Sequence, residues 1–296
     1  MRIVSLLPAA TDIVAVLGKA ADLVGRTHEC DWPAEVAAVE VVTAARIDQD
    51  RMTSREISLA VGGSAHSGSS LYTVDLERLA AVRPDLVLTQ DLCEVCAVSY
   101  RKVTEAVRVL DLDTKVVSLE PKTLNDVFGA LDTVGGLLGV DAAPITERLR
   151  ARLAAATVDP ATRPRTLVVE WMDPPWPAGH WVPEQVAAAG GTALLAEPGQ
   201  HTAAVDWAAM RETDPDVVVV APCGFPVERT RAELDALTAR PGWRDLKAVR
   251  AGEVWLVDGP SYFNRPGPRL VRGVEVLAHV LHGLGEVTPD EAVRLG

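Results

Sequence analysis

Basic clusters and long apolar runs are both missing from this chain of 296 residues. Lys and Arg number 29 against 41 Asp and Glu, for a net charge of −12. That balance argues against nucleic acid and anionic membrane as partners. No apolar run approaches the roughly 20 residues of a membrane helix, so no membrane segment is expected. Met1-Arg2-Ile3-Val4-Ser5-Leu6-Leu7 enters a strand directly. It has no basic n-region, long apolar h-region or small-residue cleavage site. The expectation is a cytoplasmic protein, or an extracytoplasmic one if a leader has been removed. Cysteines number only four, and in a reducing compartment they read as thiols or metal ligands rather than disulfides. The Gly-rich run Gly62-Gly63-Ser64-Ala65-His66-Ser67-Gly68-Ser69-Ser70 lacks a P-loop lysine and dinucleotide spacing, and reads as a linker or lid loop. No nucleophile elbow and no Ser-His-Asp motif is present.

What remains is a globular composition, 48% hydrophobic and 24% charged. The length suits one large or two medium domains with cores that need no staples. One stretch organises the chain: Leu86-Val87-Leu88-Thr89-Gln90-Asp91-Leu92-Cys93-Glu94-Val95-Cys96. It opens behind Pro84-Asp85 as a short apolar run, the pattern of a buried parallel strand. It ends in a Cys-x-x-Cys pair, where open α/β sheets carry their functional loops. The pattern recurs. Val74-Asp75, a helical stretch, and Pro84-Asp85-Leu86-Val87-Leu88 match Val205-Asp206, a helical stretch, and Pro215-Asp216-Val217-Val218-Val219-Val220. The second copy also runs into a cysteine, at Ala221-Pro222-Cys223-Gly224.

The repeat predicts two Rossmann-like α/β lobes joined by a rigid linker helix. Residues 1–122 form the first lobe, 123–164 a helical linker, and 165–296 the second lobe with a closing helix. Strands are expected at 2–7, from 23, near 39–43, at 115–119, 166–170 and 253–258. Helices are expected at 75–82, 99–110, 123–138, 183–190 and 227–239, with a last one to about residue 284. The linker helix, about 142–156, spans roughly 22 Å at about 1.5 Å per residue.

Two residue sets carry candidate chemistry. Glu170-Trp171-Met172-Asp173-Pro174-Pro175-Trp176-Pro177-Ala178-Gly179-His180-Trp181 places three tryptophans and a histidine in one strand-end loop. Large aromatic faces suit a wall for a flat ligand, though they also suit packing of the lobe. Cys30, Cys93, Cys96 and Cys223 all follow predicted strands, with His28 beside the first. Four thiolates satisfy tetrahedral zinc or an iron–sulfur cluster. Plain buried thiols, or a Cys93–Cys96 redox pair, are the alternatives. Glu29, Asp31, Glu94 and Glu170 are acid–base candidates. Arg265, between Asn264 and Pro266, suits a bidentate grip on a carboxylate or phosphate.

Ser5-Leu6-Leu7-Pro8-Ala9-Ala10-Thr11-Asp12, the unit from Val74-Asp75 to Leu88, and Asn264-Arg265-Pro266-Gly267-Pro268-Arg269 together resemble the helical-backbone (class III) solute-binding proteins. The vitamin B12-binding members and their leaderless relatives are the most similar group. His28-Glu29-Cys30-Asp31-Trp32-Pro33 and Cys93-Glu94-Val95-Cys96 resemble a subgroup described as cobalamin-binding. The resemblance implies two lobes with a ligand held in the interlobe cleft. It implies corrinoid or other metal-chelate binding, with an ABC transporter as a partner left open. The contact residues then expected are Trp32, Glu170, Trp171, Trp176, His180, Trp181, Tyr262 and Arg265. The alternative is a cytoplasmic metalloenzyme that uses the cysteine set on the same fold.

Overall fold

The computed structural model describes residues 1–66, 72–90, 100–110 and 113–295. They divide into two compact units. The first comprises Met1–Met52, Leu59–Pro121 and Asn125–Thr146; the second comprises Thr53–Ser58, Lys122–Leu124 and Glu147–Gly296. Both are α/β lobes built on parallel strands, as the repeat predicts.

The first lobe begins with β1 (Ile3–Ser5), α1 (Pro8–Val16) and β2 (Leu23–Arg26). A ribbon of β3 (Thr43–Ala45) follows, completed beyond α2 (Ser54–His66) by the antiparallel β4 (Tyr72–Val74). Then come α3 (Leu76–Val82), β5 (Leu86–Thr89), α4 (Tyr100–Val109), β6 (Lys115–Ser118) and α5 (Leu124–Leu138). The main sheet has the order β2-β1-β5-β6, all parallel. Strands covered on both faces read as unbroken apolar runs, and Leu86-Val87-Leu88 is such a run. Val4, Leu6, Val42, Leu79, Val87 and Val103 form one core cluster. Full burial of each such side chain stabilises by about 1.5–3 kcal/mol before entropy is counted.

The chain continues through α6 (Ala143–Ala156), and the division between units falls inside it, after Thr146. The second lobe holds β7 (Arg165–Trp171), β8 (Trp176–Pro177), α7 (Val182–Ala188), β9 (Thr192–Ala193), α8 (Trp207–Glu212) and β10 (Val217–Val220). It ends with α9 (Val227–Ala232), α10 (Asp235–Thr238), α11 (Lys247–Arg250), β11 (Val254–Val257), α12 (Gly259–Tyr262), α13 (Leu270–His282) and β12 (Ala292–Arg294). The sheet order is β12-β11-β10-β7-β8, with β9 also paired to β7. Strands β7, β10 and β11 are parallel, and the edge strands β8 and β12 run antiparallel.

The repeated Pro-Asp has a shared structural task. The Asp85 carboxylate accepts the backbone N–H of Arg2 at 2.7 Å, and the Asp85 N–H donates to Arg2 O at 2.8 Å. In the second lobe Asp216 accepts the N–H of Arg165 at 2.8 Å and donates to Arg165 O at 2.9 Å. Each aspartate thus ties the start of a central strand to the start of its lobe's first strand. The matched N-caps differ. Asp75 accepts the N–H of Arg78, whereas Asp206 makes no such side-chain bond.

Several expectations change. Helix α2 continues through Gly62 and Gly63, where a loop was expected. Its start is a reciprocal Thr53–Glu56 capping box: the Thr53 N–H donates to Glu56 at 2.8 Å, and the Glu56 N–H donates to Thr53 Oγ1 at 3.3 Å. That cap offsets the helix cost of glycine, about 1 kcal/mol per residue. The strand expected near 39–43 lies later, at β3, behind a 3-10 helix at Ala34–Ala38. The helix expected at 227–239 is broken into α9 and α10. Strand β12 was not anticipated, because its pairing with β11 is set by tertiary contact rather than by a local apolar run.

Candidate functional site

The carboxyl ends of β7 and β10 bring the Trp loop and Cys223 together in the second lobe. After Trp171 the chain reverses through Asp173-Pro174-Pro175 and returns as β8, pairing Val169 with Pro177 and Trp171 with Trp176. The loop is therefore partly a hairpin. The Cys223 N–H donates to Glu170 O at 3.0 Å, and its thiol donates to Glu170 Oε1 at 3.3 Å. Glu170 Oε2 receives the Gly179 N–H at 3.4 Å. Burial pushes the Glu170 carboxyl above its ordinary value; the Cys223 thiol, the Gly179 N–H and the charge of His201 oppose that shift.

Gly179 is required by close approach, since a Cβ there would lie 2.7 Å from Gln200 O. His180 adopts the left-handed region at φ 53°. Its N–H donates to Gln200 O, and its carbonyl accepts from Gly199, both at 2.8 Å. This clamp sets the His180 ring 5.4 Å from that of His201, which sits edge-on to Trp176 at 6.1 Å. Trp176 Nε1 donates to Thr202 Oγ1 at 2.9 Å, and that hydroxyl donates to Pro177 O at 2.6 Å. Burial, then His201 and Lys122, hold His180 below its ordinary pKa, which favours a neutral imidazole.

The three tryptophans have different fates. Trp176 is half-buried beside the two histidines. Trp171 Nε1 donates to Ser58 Oγ at 2.7 Å, and its ring packs on Phe225 at 5.3 Å. Trp181 is only 6% exposed and donates to Phe263 O at 2.6 Å. Trp181 is thus anchored in the lobe through its indole N–H, while its ring stacks on that of His180 at 5.5 Å. Tyr262 ends α12, with the Arg269 guanidinium over its ring at 5.3 Å. Asn264 donates to Ala221 O at 3.2 Å, holding the turn that carries part-buried Arg265 against the end of β10.

In the first lobe, Cys30 is 5% exposed, with its sulfur 2.9 Å from Thr11 Oγ1. That hydroxyl also donates to Ser5 Oγ at 2.8 Å. Cys30 is thus packed inside its lobe, a correction to its expected role as an available ligand. Trp32 is half-buried. His28 Nδ1 lies 2.7 Å from Thr43 Oγ1, and Glu29 Oε1 accepts from Gln49 Nε2 at 2.7 Å. Cys93, Glu94 and Cys96 lie outside the described residues. Among the described residues no group of three or more His, Cys, Asp or Glu side chains is arranged to hold a metal ion. The expected four-thiolate zinc or iron–sulfur set includes Cys93 and Cys96, and so lies partly outside the described residues.

Sequence reasoning missed His201 and Thr202 as partners of Trp176. The docking of the Gly199-Gln200-His201-Thr202 loop depends on the absence of a side chain at Gly179, which no local pattern signals.

Comparisons with known proteins agree with this architecture. The family model described as "Periplasmic binding protein" matches residues 3–260. An uncharacterised ABC transporter substrate-binding lipoprotein, YvrC of Bacillus subtilis (strain 168), is 23% identical over 95% of this chain and 80% of its own length. The periplasmic heme-binding protein RhuT from Roseiflexus sp. RS-1, in apo form, superposes with a TM-score of 0.69 at 20% identity, covering 95% of this chain and 97% of its own. The periplasmic vitamin B12-binding protein BtuF of Vibrio cholerae superposes with a TM-score of 0.65 at 20% identity, covering 94% and 95%.

Proposed function

The chain belongs to the periplasmic binding protein family, and we propose that it binds a flat metal-chelate ligand of the corrinoid type at the carboxyl edge of its second lobe. The observation that carries the reading is the Trp176, His180 and His201 group beside Glu170. A half-buried indole and two imidazoles offer an aromatic face with few fixed charges, as a large conjugated ring needs. The raised pKa of Glu170 reduces the charge that such a ligand would have to desolvate. The heme-binding and vitamin B12-binding structural neighbours take ligands of the same chemical class. Delivery of that ligand to an ABC transporter is the role proposed with it, in line with the description of the Bacillus subtilis relative.

The test is titration of the full chain with aquocobalamin and, separately, hemin. Tryptophan fluorescence, corrected for inner filtering, reports occupancy. Saturable quenching by aquocobalamin, weakened by Trp176→Ala, supports the corrinoid reading. Binding of hemin alone would move the ligand to a porphyrin. Absence of saturable binding by either at high micromolar concentration overturns the proposal.

A further inference from the structure

Two helices begin in the second unit and continue in the first: the division cuts α2 after Ser58 and α5 after Leu124. A helix leaves its first backbone N–H groups without intrahelical partners. Side chains next to the helix start usually serve them. Here the opening amide of each helix is taken instead by a glutamate far along the chain. The Ser54 N–H donates to Glu233 Oε2 at 2.7 Å, 179 residues away. The Leu124 N–H donates to Glu184 Oε2 at 2.6 Å, 60 residues away. Both glutamates and both helix starts belong to the second unit. A carboxylate also suits the positive end of a helix dipole. Glu233 is itself braced, since Arg229 holds its other oxygen at 3.1 Å and lies over the Phe225 ring at 4.2 Å.

Each capped turn is joined to a side of the candidate site. In α2, Ser58 Oγ accepts the Trp171 indole N–H at 2.7 Å and donates to Asp173 O at 3.0 Å. Trp171 in turn packs on Phe225 and pairs across the hairpin with Trp176. At the start of α5, Thr123 lies beside Gly199, where a Cβ would meet its methyl at 3.4 Å. The Gly199 N–H donates to His180 O at 2.8 Å. Lys122 also acts on the same histidine, after burial and His201, in lowering its pKa. We propose that Glu233 and Glu184 are positioning residues: they pin the first turns of α2 and α5, and so hold the Trp171 and His180 sides of the site. The inference rests on the proposed reading for the ligand, while the pins themselves are tested without one.

Hydrogen exchange of the full chain, followed by NMR, reads the pins. The wild-type Ser54 and Leu124 amides are expected to be protected, whereas first-turn amides without a cap exchange freely. Glu233→Ala is expected to speed exchange at Ser54 about tenfold, the scale of a hydrogen bond to a charged group, and to leave Leu124 unchanged. Glu184→Ala is expected to do the converse, and a general loss of stability would speed both. The positioning role has its own readouts. Glu184→Ala is expected to raise the titration midpoint of His180, because Lys122 is no longer held near it. Glu233→Ala is expected to speed exchange of the Trp171 indole N–H. Each variant is also expected to lose about fivefold in aquocobalamin affinity, the lower end of coupling between linked sites. Unprotected Ser54 and Leu124 amides in the wild type overturn the inference, whether or not a variant folds. An unmoved His180 midpoint together with unmoved Trp171 exchange overturns it, and so does unchanged affinity in both variants. Failure of the wild type to bind either aquocobalamin or hemin overturns the ligand proposal instead.

Discussion

The Cys223 thiol donates to the Glu170 carboxylate across 3.3 Å, joining the end of β10 to the end of β7. The bond places a titratable group of raised pKa at the edge where the ligand is proposed to sit. The folded state therefore holds a proton on Glu170 more tightly than the unfolded chain does. Stability from this group is fully present below the ordinary value of 4.5 and is lost as pH rises through the raised one. Glu170→Gln, which mimics the protonated form, is expected to stabilise the protein at neutral pH and to do little in acid. Urea unfolding of both proteins at about pH 7 and about pH 4 checks the sign.

Glu291 behaves in the opposite sense. Its hydrogen bonds from the Arg272 guanidinium, at 2.8 Å each, lower its pKa from 4.5 to about 2. That stabilisation is present above the unfolded value and is lost as pH falls from 4.5 towards about 2. Glu291→Gln is expected to cost on the order of 3 kcal/mol at neutral pH, as an upper bound. The cost should shrink towards zero across the same acid window, as followed by denaturant midpoints. A constant difference at all pH values would mean that packing, not charge, is what the substitution removes.

The two clamp aspartates are expected to differ in weight. Asp216 also pairs with Lys247, while Asp85 is exposed. Asp85→Ala is expected to cost about 1 kcal/mol, and Asp216→Ala up to about twice that. Equal losses in urea denaturation would show that the Lys247 pair adds nothing.

Trp181 and Trp176 separate packing from binding. Trp181→Phe leaves the buried Phe263 carbonyl without its 2.6 Å donor. It is expected to lower stability by about 1–3 kcal/mol and, since its ring only backs His180, to weaken aquocobalamin less than Trp176→Ala does. Trp176→Ala should do the reverse, weakening binding with a smaller change in the melting temperature. Equal effects of both substitutions on affinity would argue that the loop acts as one unit.

The sequence alone determined the α/β lobes and the central strands. Leu86-Val87-Leu88 and Val217-Val218-Val219-Val220 are continuous apolar runs, and only a strand buried on both faces requires such a run. Each follows Pro-Asp, and the aspartate's shared task of tying its strand to the start of the lobe's first strand accounts for a repeat that is visible in the chain. Capping also was legible in principle, since Thr53 and Glu56 carry the spacing of a capping box. What the sequence could not decide was which of several like side chains does what. Trp176 and Trp181 lie five positions apart in one loop. Trp181 is buried because Phe263, far along the chain, offers it a carbonyl. His201 reaches Trp176 only because Gly179 lets another backbone pass. The His28 ring meets Thr43 Oγ1 at 2.7 Å, across the β2–β3 connection. Strand and helix patterns are written in neighbouring residues, whereas hydrogen-bond partners and burial at these sites come from segments that only the folded chain brings together.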